Sequence, residues 1–233
     1  MECNVSIGKQ NFADIRENKY FYIDKTSLIK EWWDSGDDVT LITRPRRFGK
    51  TLNMSMLGCF FSNQYAGRGD LFEGLSVWED EKYRNIQGTY PVIFLSFADV
   101  KADNIQDAKQ QVKMKIEELY RNSRYLLDSD VFDDDEKLEF RQMNKDVNDA
   151  VCSMSVKQLC NYYNRYHKKK VIVLLDEYDT PMQEAYVHGY WDEFTAFMRS
   201  FFNATFKTNP YLERAVMTGI TRVSKQSIFS DLN

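Results

Sequence analysis

The residues best suited to chemistry are Gly49-Lys50-Thr51, which lie between two segments of different pattern. An apolar, β-branched run over Val39–Thr43 predicts a strand before them, and a helix-like run from Leu52 to about Phe61 follows. Strand, loop, Gly-Lys-Thr and helix is the layout of a phosphate-binding loop. In such a loop, backbone N–H groups and the helix N-terminus face a polyphosphate, the lysine reaches its outer phosphates, and the threonine hydroxyl ligates Mg²⁺.

The first half of this loop departs from the usual pattern G-x-x-x-x-G-K-[ST]. The first glycine would fall where the chain has Arg44, and the next residue, Pro45, has no N–H to offer. Arg44, Arg46 and Arg47 would instead put three cations beside the phosphates, which partly replaces the lost N–H groups. A basic surface turn before a helix is the alternative interpretation of these residues.

A pair of carboxylates follows a second apolar run. The five apolar residues Val171–Leu175 predict a strand buried on both faces, which delivers Asp176 and Glu177 at its carboxyl end. Ligands of parallel α/β sheets lie at that end. Asp176 suits the magnesium shell of a P-loop NTPase, and Glu177 can orient and deprotonate the attacking water. Thr218, after another short apolar run, is placed to sense the γ-phosphate. The alternative interpretation of Asp176 and Glu177 is an acidic strand end that caps the following helix.

The elements that must position these residues alternate between strand and helix patterns. Residues 1–24 predict an irregular arm, after which Asp24 caps a helix with a one-sided apolar stripe that Gly36 ends. Thr180 is expected as a helix N-cap, with Pro181 at the first helical position. Further strands, the first of them covered on both faces, are expected at 91–97 and 215–217, and further helices at 104–121, 136–147, 155–167 and 190–206.

Composition narrows the class of protein. Of the 233 residues, 43% are hydrophobic and 15% aromatic, which is ample for a packed core. A net charge of −4 and a pI near 5.4 exclude a general polyanion binder, so any nucleic-acid contact must come from a local patch. There is no run of about eighteen apolar residues and no signal-peptide core, and the four cysteines are scattered. These features predict a cytoplasmic protein without membrane contact.

Further short motifs accompany the loop Arg44–Thr51. They are Tyr22-Ile23-Asp24-Lys25-Thr26, Leu95-Ser96-Phe97, Asp176-Glu177-Tyr178-Asp179-Thr180-Pro181 and Thr218-Gly219-Ile220-Thr221-Arg222. Together and in this order they resemble the bacterial AAA-ATPase-like family, whose own loop also has the arginine, and the resemblance covers nearly the whole chain. It implies an AAA+-like core, often followed by a lid and a PD-(D/E)XK-type nuclease domain. Neither follower is expected here, so an N-terminal fragment is predicted.

The expected fold is therefore an α/β P-loop NTPase of the AAA+/ASCE type, a three-layer sandwich with a mostly parallel sheet and no C-terminal lid. An N-terminal arm and helix (1–36) would pack on an ATPase core (37–233). The domain is expected to bind ATP with Mg²⁺ and to hydrolyse it slowly or when partnered, driving or gating a C-terminal effector, which the resemblance implies is a nuclease. Nucleic acid would be contacted through that effector.

Individual roles follow from the motifs. Thr51 and Asp176 are expected to hold the metal. The residues expected in catalysis are Lys50 at the β- and γ-phosphates, Glu177 at the water, and Thr218 and Arg222 at the γ-phosphate. The residues expected to bind the nucleotide are Arg44, Pro45, Arg46, Arg47, Phe48, Gly49, Lys50, Thr51 and Leu52, with Tyr22 and Ile23 against the adenine. Arg222 or a loop arginine could instead act in trans as an arginine finger within a homo-oligomer.

Two other functions stay open at this point. The first is a nucleotide-operated switch without turnover, which the altered loop and the missing lid favour. The second is a nucleic-acid-binding module that uses the basic cluster Arg44–Lys50. The acidic pI and the apolar strand immediately before the loop argue against the second function.

Overall fold

A computed structural model describes residues 8–221, in which helices alternate with strands. The helices are α1 (Phe12–Glu17), α2 (Ser27–Ser35), α3 (Lys50–Phe61), α4 (Glu81–Arg84), α5 (Ile105–Asn122), α6 (Asp134–Gln142), α7 (Asp149–His167), α8 (Thr180–Val187) and α9 (Trp191–Phe202). The strands are β1 (Val39–Thr43), β2 (Val92–Ser96), β3 (Val171–Asp176) and β4 (Leu212–Gly219). None of the helices within this range combines the length and the apolar character that crossing a bilayer requires.

The strands form one parallel sheet in the order β1-β4-β3-β2. β4 therefore lies between β1, which precedes the Gly-Lys-Thr loop, and β3, which ends in Asp176. Ile42 of β1 pairs with Thr218 of β4, and Leu175 of β3 pairs with Met217. Because the strands are parallel, their carboxyl ends meet at one edge of the sheet. This edge carries the loop, Thr218 and Asp176 together.

β3 is buried along its whole length, and its alternate residues belong to two hydrophobic cores. Ile172 and Leu174 pack with α1, α2 and α3 in what we call the arm-side core. Val171, Val173 and Leu175 pack with α5, α7 and α9 in the far-side core. The sheet is thus covered by helices on both faces. The predicted α/β sandwich with a parallel sheet is confirmed.

The arm before the sheet is more regular than expected. α1 lies where an irregular chain was predicted, and the N–H of Phe12 donates to Oγ of Ser55 on α3 at 2.9 Å. Asp24 does not cap α2, because the N-cap position belongs to Thr26. Instead, the Asp24 carboxylate accepts the N–H of Thr26 at 2.8 Å and that of Ser76 at 2.8 Å. The bonds from Phe12 to Ser55 and from Ser76 to Asp24 join segments that are distant in sequence, which a local pattern does not reveal.

The remaining differences from the predicted elements are small. β2 is an outer strand of the described sheet with Phe94 38% exposed, so the expectation of cover on both faces was wrong. Thr180 is the first residue of α8 and not its N-cap, since Asp179 occupies that position. The helix predicted over 136–147 ends early, at Gln142, where Met143 turns to an extended conformation.

The arm and the sheet are joined by buried contacts. The Trp32 ring packs edge-on against Phe61 at a centroid distance of 5.2 Å. From β4, Nη1 of Arg214 donates to the carbonyls of Trp32 and Trp33 at 3.0 and 2.7 Å, and its guanidinium lies 4.7 Å from the Trp33 ring centre. These carbonyls belong to the last turn of α2, where helix carbonyls lack intrahelical donors. The predicted division of the chain into an arm (1–36) and an ATPase core (37–233) stays a prediction.

Candidate functional site

The loop after β1 leads directly into the N-terminus of α3. The N–H of Arg44 donates to the carbonyl of Gly219 at 3.1 Å, so the loop begins beside the end of β4. Gly49 has a φ of 76°, a left-handed conformation that glycine adopts readily, and α3 starts at Lys50, two residues earlier than predicted. Lys50 and Thr51 therefore lie in a first turn whose N–H groups have no intrahelical acceptor. Such a turn can bind an anion.

The Lys50 ammonium is folded back onto its own loop. Its Nζ donates to the carbonyls of Arg44 at 2.9 Å and Pro45 at 3.1 Å, and the residue is only 8% exposed. A phosphate oxygen that entered the loop could replace these carbonyls as the acceptor. The loop thus keeps a nearly buried cation beside a helix N-terminus, which suits a polyanionic ligand.

Asp176 and Thr218 meet at neighbouring strand ends. The Thr218 hydroxyl donates to Oδ1 of Asp176, and the two residues are 2% and 1% exposed, respectively. The N–H of Glu177 approaches the same hydroxyl at 3.4 Å. One buried hydroxyl therefore contacts both residues of the predicted acidic pair.

Glu177 follows β3 in an unusual backbone conformation. Its φ is 52°, in the left-handed region that residues with a Cβ rarely adopt. Its Oε2 accepts the Thr180 hydroxyl at 3.0 Å, which fixes the carboxylate over the start of α8. Arg47 in the loop has a similar φ of 68°. Strained residues of this kind concentrate at functional sites.

A cavity of about 370 Å³ joins the loop, the arm and β4. Its polar and charged wall includes Asp24, Lys25, Glu31, Arg44, Lys50 and Thr218. Asp176 and Glu177 do not line it, and they are connected to it through Thr218. A larger cavity of about 1080 Å³ lies beside α8 and α9, but no basic side chain of residues 8–221 lines it. A polyanion therefore suits the smaller cavity.

Lys25 adds a cation from the arm that no motif had identified as a ligand contact. A side-chain carbon placed on Gly49 would lie 3.5 Å from Nζ of Lys25. Neither Lys25 nor the three loop residues Arg44, Arg46 and Arg47 forms an ion pair within the described part of the chain. Positive charge around the loop is thus left for a ligand to neutralise.

The two residues predicted to lie against the adenine, Tyr22 and Ile23, do not line this cavity. The Tyr22 ring packs on Phe12 at 5.3 Å and its hydroxyl donates to Sδ of Met56 at 3.2 Å. Burial raises the pKa of Tyr22 to about 12. Ile23 is 65% exposed, and neither residue lines the cavity, although the two that follow them do. Arg222 lies outside the described residues.

The donors at this edge fit a magnesium ion that arrives with its substrate. Asp176 offers a buried carboxylate, and Thr51 offers a hydroxyl from the first turn of α3, beside the half-buried Leu52. Mg²⁺ commonly takes one or two protein ligands, several waters and phosphate oxygens. Within residues 8–221, no group of three or more His, Cys, Asp or Glu side chains converges as a metal site. The carboxylate and the hydroxyl are thus of the type that would suit a Mg²⁺ ion carried by a phosphate ligand.

One buried carboxylate at this edge had no predicted role. Asp179 is fully buried, and its Oδ2 accepts the N–H groups of Ile220 at 2.9 Å and Thr221 at 2.8 Å. These partners are 41 and 42 positions away in the chain. No local spacing could have pointed to them, although Asp179 stands in one of the motifs quoted above.

Comparison with known proteins agrees with this geometry. A family model described as "Predicted AAA-ATPase" matches residues 6–229. A protein of Azotobacter chroococcum mcd 1, described as an uncharacterized protein in the vnfD 5' region, is 29% identical over 229 residues. The match covers 97% of this chain and 39% of that relative, so the chain spans well under half of the relative's length. No solved structure matches.

Proposed function

The chain belongs to the predicted AAA-ATPase family, and on this premise we propose that it binds ATP with Mg²⁺ and hydrolyses ATP slowly, or faster when partnered. The observation that carries the proposal is the grouping of three residues from three separate segments. Lys50 and Thr218 line one cavity, and Thr218 also donates a hydrogen bond to Asp176. A lysine at a helix N-terminus, a buried carboxylate and a hydroxyl are the groups that a triphosphate site requires.

In this proposal Lys50 leaves its two loop carbonyls and donates to the β- and γ-phosphates. The first-turn N–H groups of α3 bind phosphate oxygens, and Gly49 allows the backbone to approach them closely. Arg44 contributes charge from the cavity wall, and Lys25 does so from the arm. Adenine would lie on the arm side of the cavity, next to Asp24 rather than against Tyr22 and Ile23.

Glu177 would orient the attacking water and accept its proton, and Thr218 would contact the γ-phosphate. Thr51 and Asp176 would hold Mg²⁺, which neutralises charge on the phosphates when it is bound. The Thr218 hydroxyl has one proton and donates it in a hydrogen bond to Asp176 in this structure. Contact between Thr218 and a phosphate therefore requires that this hydrogen bond be exchanged.

The biological setting is also a proposal. Because the relative is much longer than the region it shares, we expect a further domain that nucleotide turnover drives or gates, with a nuclease as the implied type and nucleic acid as its substrate. Arg222, or one of the exposed arginines Arg46 and Arg47, could complete the site of a second copy. The free cysteines of the described residues, Cys59, Cys152 and Cys160, are all buried thiols, which suits the reducing cytoplasm.

Binding can be tested by titrating Mg·ATP and following the melting temperature. At a hundredfold excess over Kd, we expect stabilisation of about 2.7 kcal/mol, or a rise of roughly 5–10 °C. Lys50→Ala should lose most of this shift. Lys170→Ala, an exposed substitution before the opposite end of β3, should keep it. Equal shifts in the three proteins would contradict the proposal.

Turnover separates an ATPase from a nucleotide switch. The wild-type protein should release phosphate at least about a hundredfold faster than Glu177→Gln, while both are stabilised by Mg·ATP. Equal, background-level release with intact binding would indicate the switch. The basic loop also leaves open a nucleic-acid module, since its three arginines form no ion pair among the described residues. That function predicts DNA binding that weakens steeply with salt and ignores ATP.

A further inference from the structure

The Asp179 carboxylate connects the start of α8 to the chain that leaves β4. Four donors converge on its Oδ2: the N–H groups of Ile220 and Thr221 at 2.9 and 2.8 Å, the Thr221 hydroxyl at 2.8 Å, and Nε2 of Gln183 at 2.8 Å. The residue is fully buried. Two of these donors are backbone groups of the segment that begins immediately after Gly219. Asp179 therefore fixes the direction in which the chain leaves the sheet.

Gly219 makes this approach possible. A Cβ on Gly219 would lie 2.6 Å from Oδ1 of Asp179 and 2.7 Å from Cε1 of Tyr178, both far inside normal contact distance. Tyr178 adds two hydrogen bonds of its own, from its N–H to the carbonyl of Thr218 at 3.0 Å and from its hydroxyl to the carbonyl of Thr221 at 2.9 Å. We call the contacts of Tyr178 and Asp179 with residues 218–221 the strand-end clamp.

Stability alone is a weak reason for this arrangement. Oδ1 of Asp179 is buried and accepts no hydrogen bond from any residue between 8 and 221. A buried acceptor without a donor lowers stability, and a native structure that keeps one needs another explanation. The position of the clamp offers that explanation, because the clamp joins the segment of Glu177, the proposed contact of the attacking water, to that of Thr218, the proposed contact of the γ-phosphate.

Glu177 follows β3 and Thr218 lies near the end of β4, and in the proposed reaction the first acts on the attacking water and the second on the γ-phosphate. The direct contact between them, from the N–H of Glu177 to the Thr218 hydroxyl, is long at 3.4 Å. Besides the bond from Thr218 to Asp176, the clamp joins their segments through hydrogen bonds of 2.8–3.0 Å. We propose that Asp179 is a positioning residue that sets the Thr218 hydroxyl and the Glu177 carboxylate at a fixed separation for hydrolysis. This inference rests on the proposed function.

The test compares Asp179→Ala with Asp179→Asn in the full chain. Asp179→Ala removes all four acceptor contacts, so kcat should fall about tenfold or more, since small misplacements of catalytic groups have effects of this size. The Kd of Mg·ATP should stay within about threefold of the wild-type value, because Asp179 does not line the nucleotide cavity. Asp179→Asn keeps an oxygen that can accept hydrogen bonds from the same donors, so it should retain most of the wild-type kcat.

A general loss of stability is controlled by a core variant away from the site. Leu159→Ala creates a cavity in the far-side core and should lower the melting temperature without changing kcat. If Asp179→Ala does not fold, Thr221→Val removes a single hydroxyl donor from an exposed residue and should lower kcat about threefold.

Two results would overturn the inference. One is an unchanged kcat in a folded Asp179→Ala or Thr221→Val protein. The other is a loss of kcat that Leu159→Ala reproduces at equal melting temperature. A wild-type protein that Mg·ATP does not stabilise would overturn the proposed function and this inference together. Normal wild-type hydrolysis with an unaffected Asp179→Ala would overturn only the inference.

Discussion

The Thr218 hydroxyl donates a hydrogen bond to Oδ1 of Asp176, which joins the ends of β4 and β3 across 42 positions of sequence. Thr218 also lines the cavity that contains the Lys50 side chain. It therefore links the lysine of the loop to the acidic pair at the carboxyl end of β3. This link follows from the sheet order, in which β4 separates β1 from β3.

Thr218→Val removes the hydroxyl but nearly keeps the shape of the side chain, so it isolates the contribution of the hydroxyl to stability and to hydrolysis. The variant leaves the buried Asp176 carboxylate without its donor, so we expect the free energy of unfolding to fall by about 1–3 kcal/mol. Hydrolysis should fall as well. Thr218→Ser keeps the hydroxyl and should resemble the wild-type protein in both respects. Urea denaturation and phosphate release measure the two effects, and a wild-type-like Thr218→Val protein would contradict the link.

Glu177→Gly and Glu177→Ala form a matched pair, since both remove the carboxylate and the contact with Thr180. Because Glu177 has a φ of 52°, alanine at this position remains strained whereas glycine does not. We expect the glycine variant to be more stable than the alanine variant by about 1 kcal/mol. Both should be inactive in hydrolysis. An alanine variant of equal stability would show that the backbone relaxes.

Arg44→Ala and Arg46→Ala should differ in their effect on nucleotide affinity. Arg44 lines the cavity, whereas Arg46 is exposed elsewhere on the loop. Loss of a charge-assisted contact from Arg44 should raise the Kd of Mg·ATP about tenfold, and Arg46→Ala should change it less than about threefold. Fluorescence titration of a labelled ATP analogue measures both. The reverse order would place the phosphates on the other side of the loop.

His167 should make stability depend on pH. Burial lowers the pKa of His167 below its ordinary value of 6.5, so the unfolded chain binds the proton more readily than the folded protein. The Asn63 side-chain amide lies 3.0 Å from Nδ1, where it can donate to a neutral ring but not to a protonated one. The free energy of unfolding should therefore fall as pH drops below about 6.5.

The control for this effect is the second histidine of the chain. His167→Gln should flatten the fall in stability between about pH 7.5 and 5.5, where histidine titrates. His188→Asn leaves His167 in place, so this variant should show the same fall in stability as the wild-type protein. Denaturation curves at several pH values give the comparison, and an unchanged slope in His167→Gln would refute the assignment.

Much of the fold was predictable because its strongest signals are local. Val171–Leu175 reads as a buried strand from five adjacent apolar residues, and β1 has its predicted bounds. α1 escaped prediction because six residues carry too little periodicity. Its amino end is instead held by the bond from Phe12 to Ser55, 43 positions away. Asp24 was misassigned for the same reason, since its partner Ser76 lies 52 positions away.

The candidate site also contains both residues that the sequence could predict and residues that it could not. Lys50 and Asp176 each stand in a motif with a fixed spacing to a strand, so their meeting at one edge of the sheet could be predicted. Lys25 and Asp179 could not be given roles, because their neighbours at the site come from other segments of the chain. Burial and hydrogen bonds of the folded chain are needed to identify such residues.

The position of α2 has a consequence for shortened versions of the protein. Its first turns line the cavity beside the loop with Ser27 and Glu31, while carbonyls of its last turn accept the hydrogen bonds of Arg214. A chain that began at Asp37 would lack one side of the ligand cavity and would leave the Phe61 ring open to water. The same helix thus supports both the cavity and the sheet, so a chain without the arm should lose affinity for a ligand of that cavity and stability at the same time.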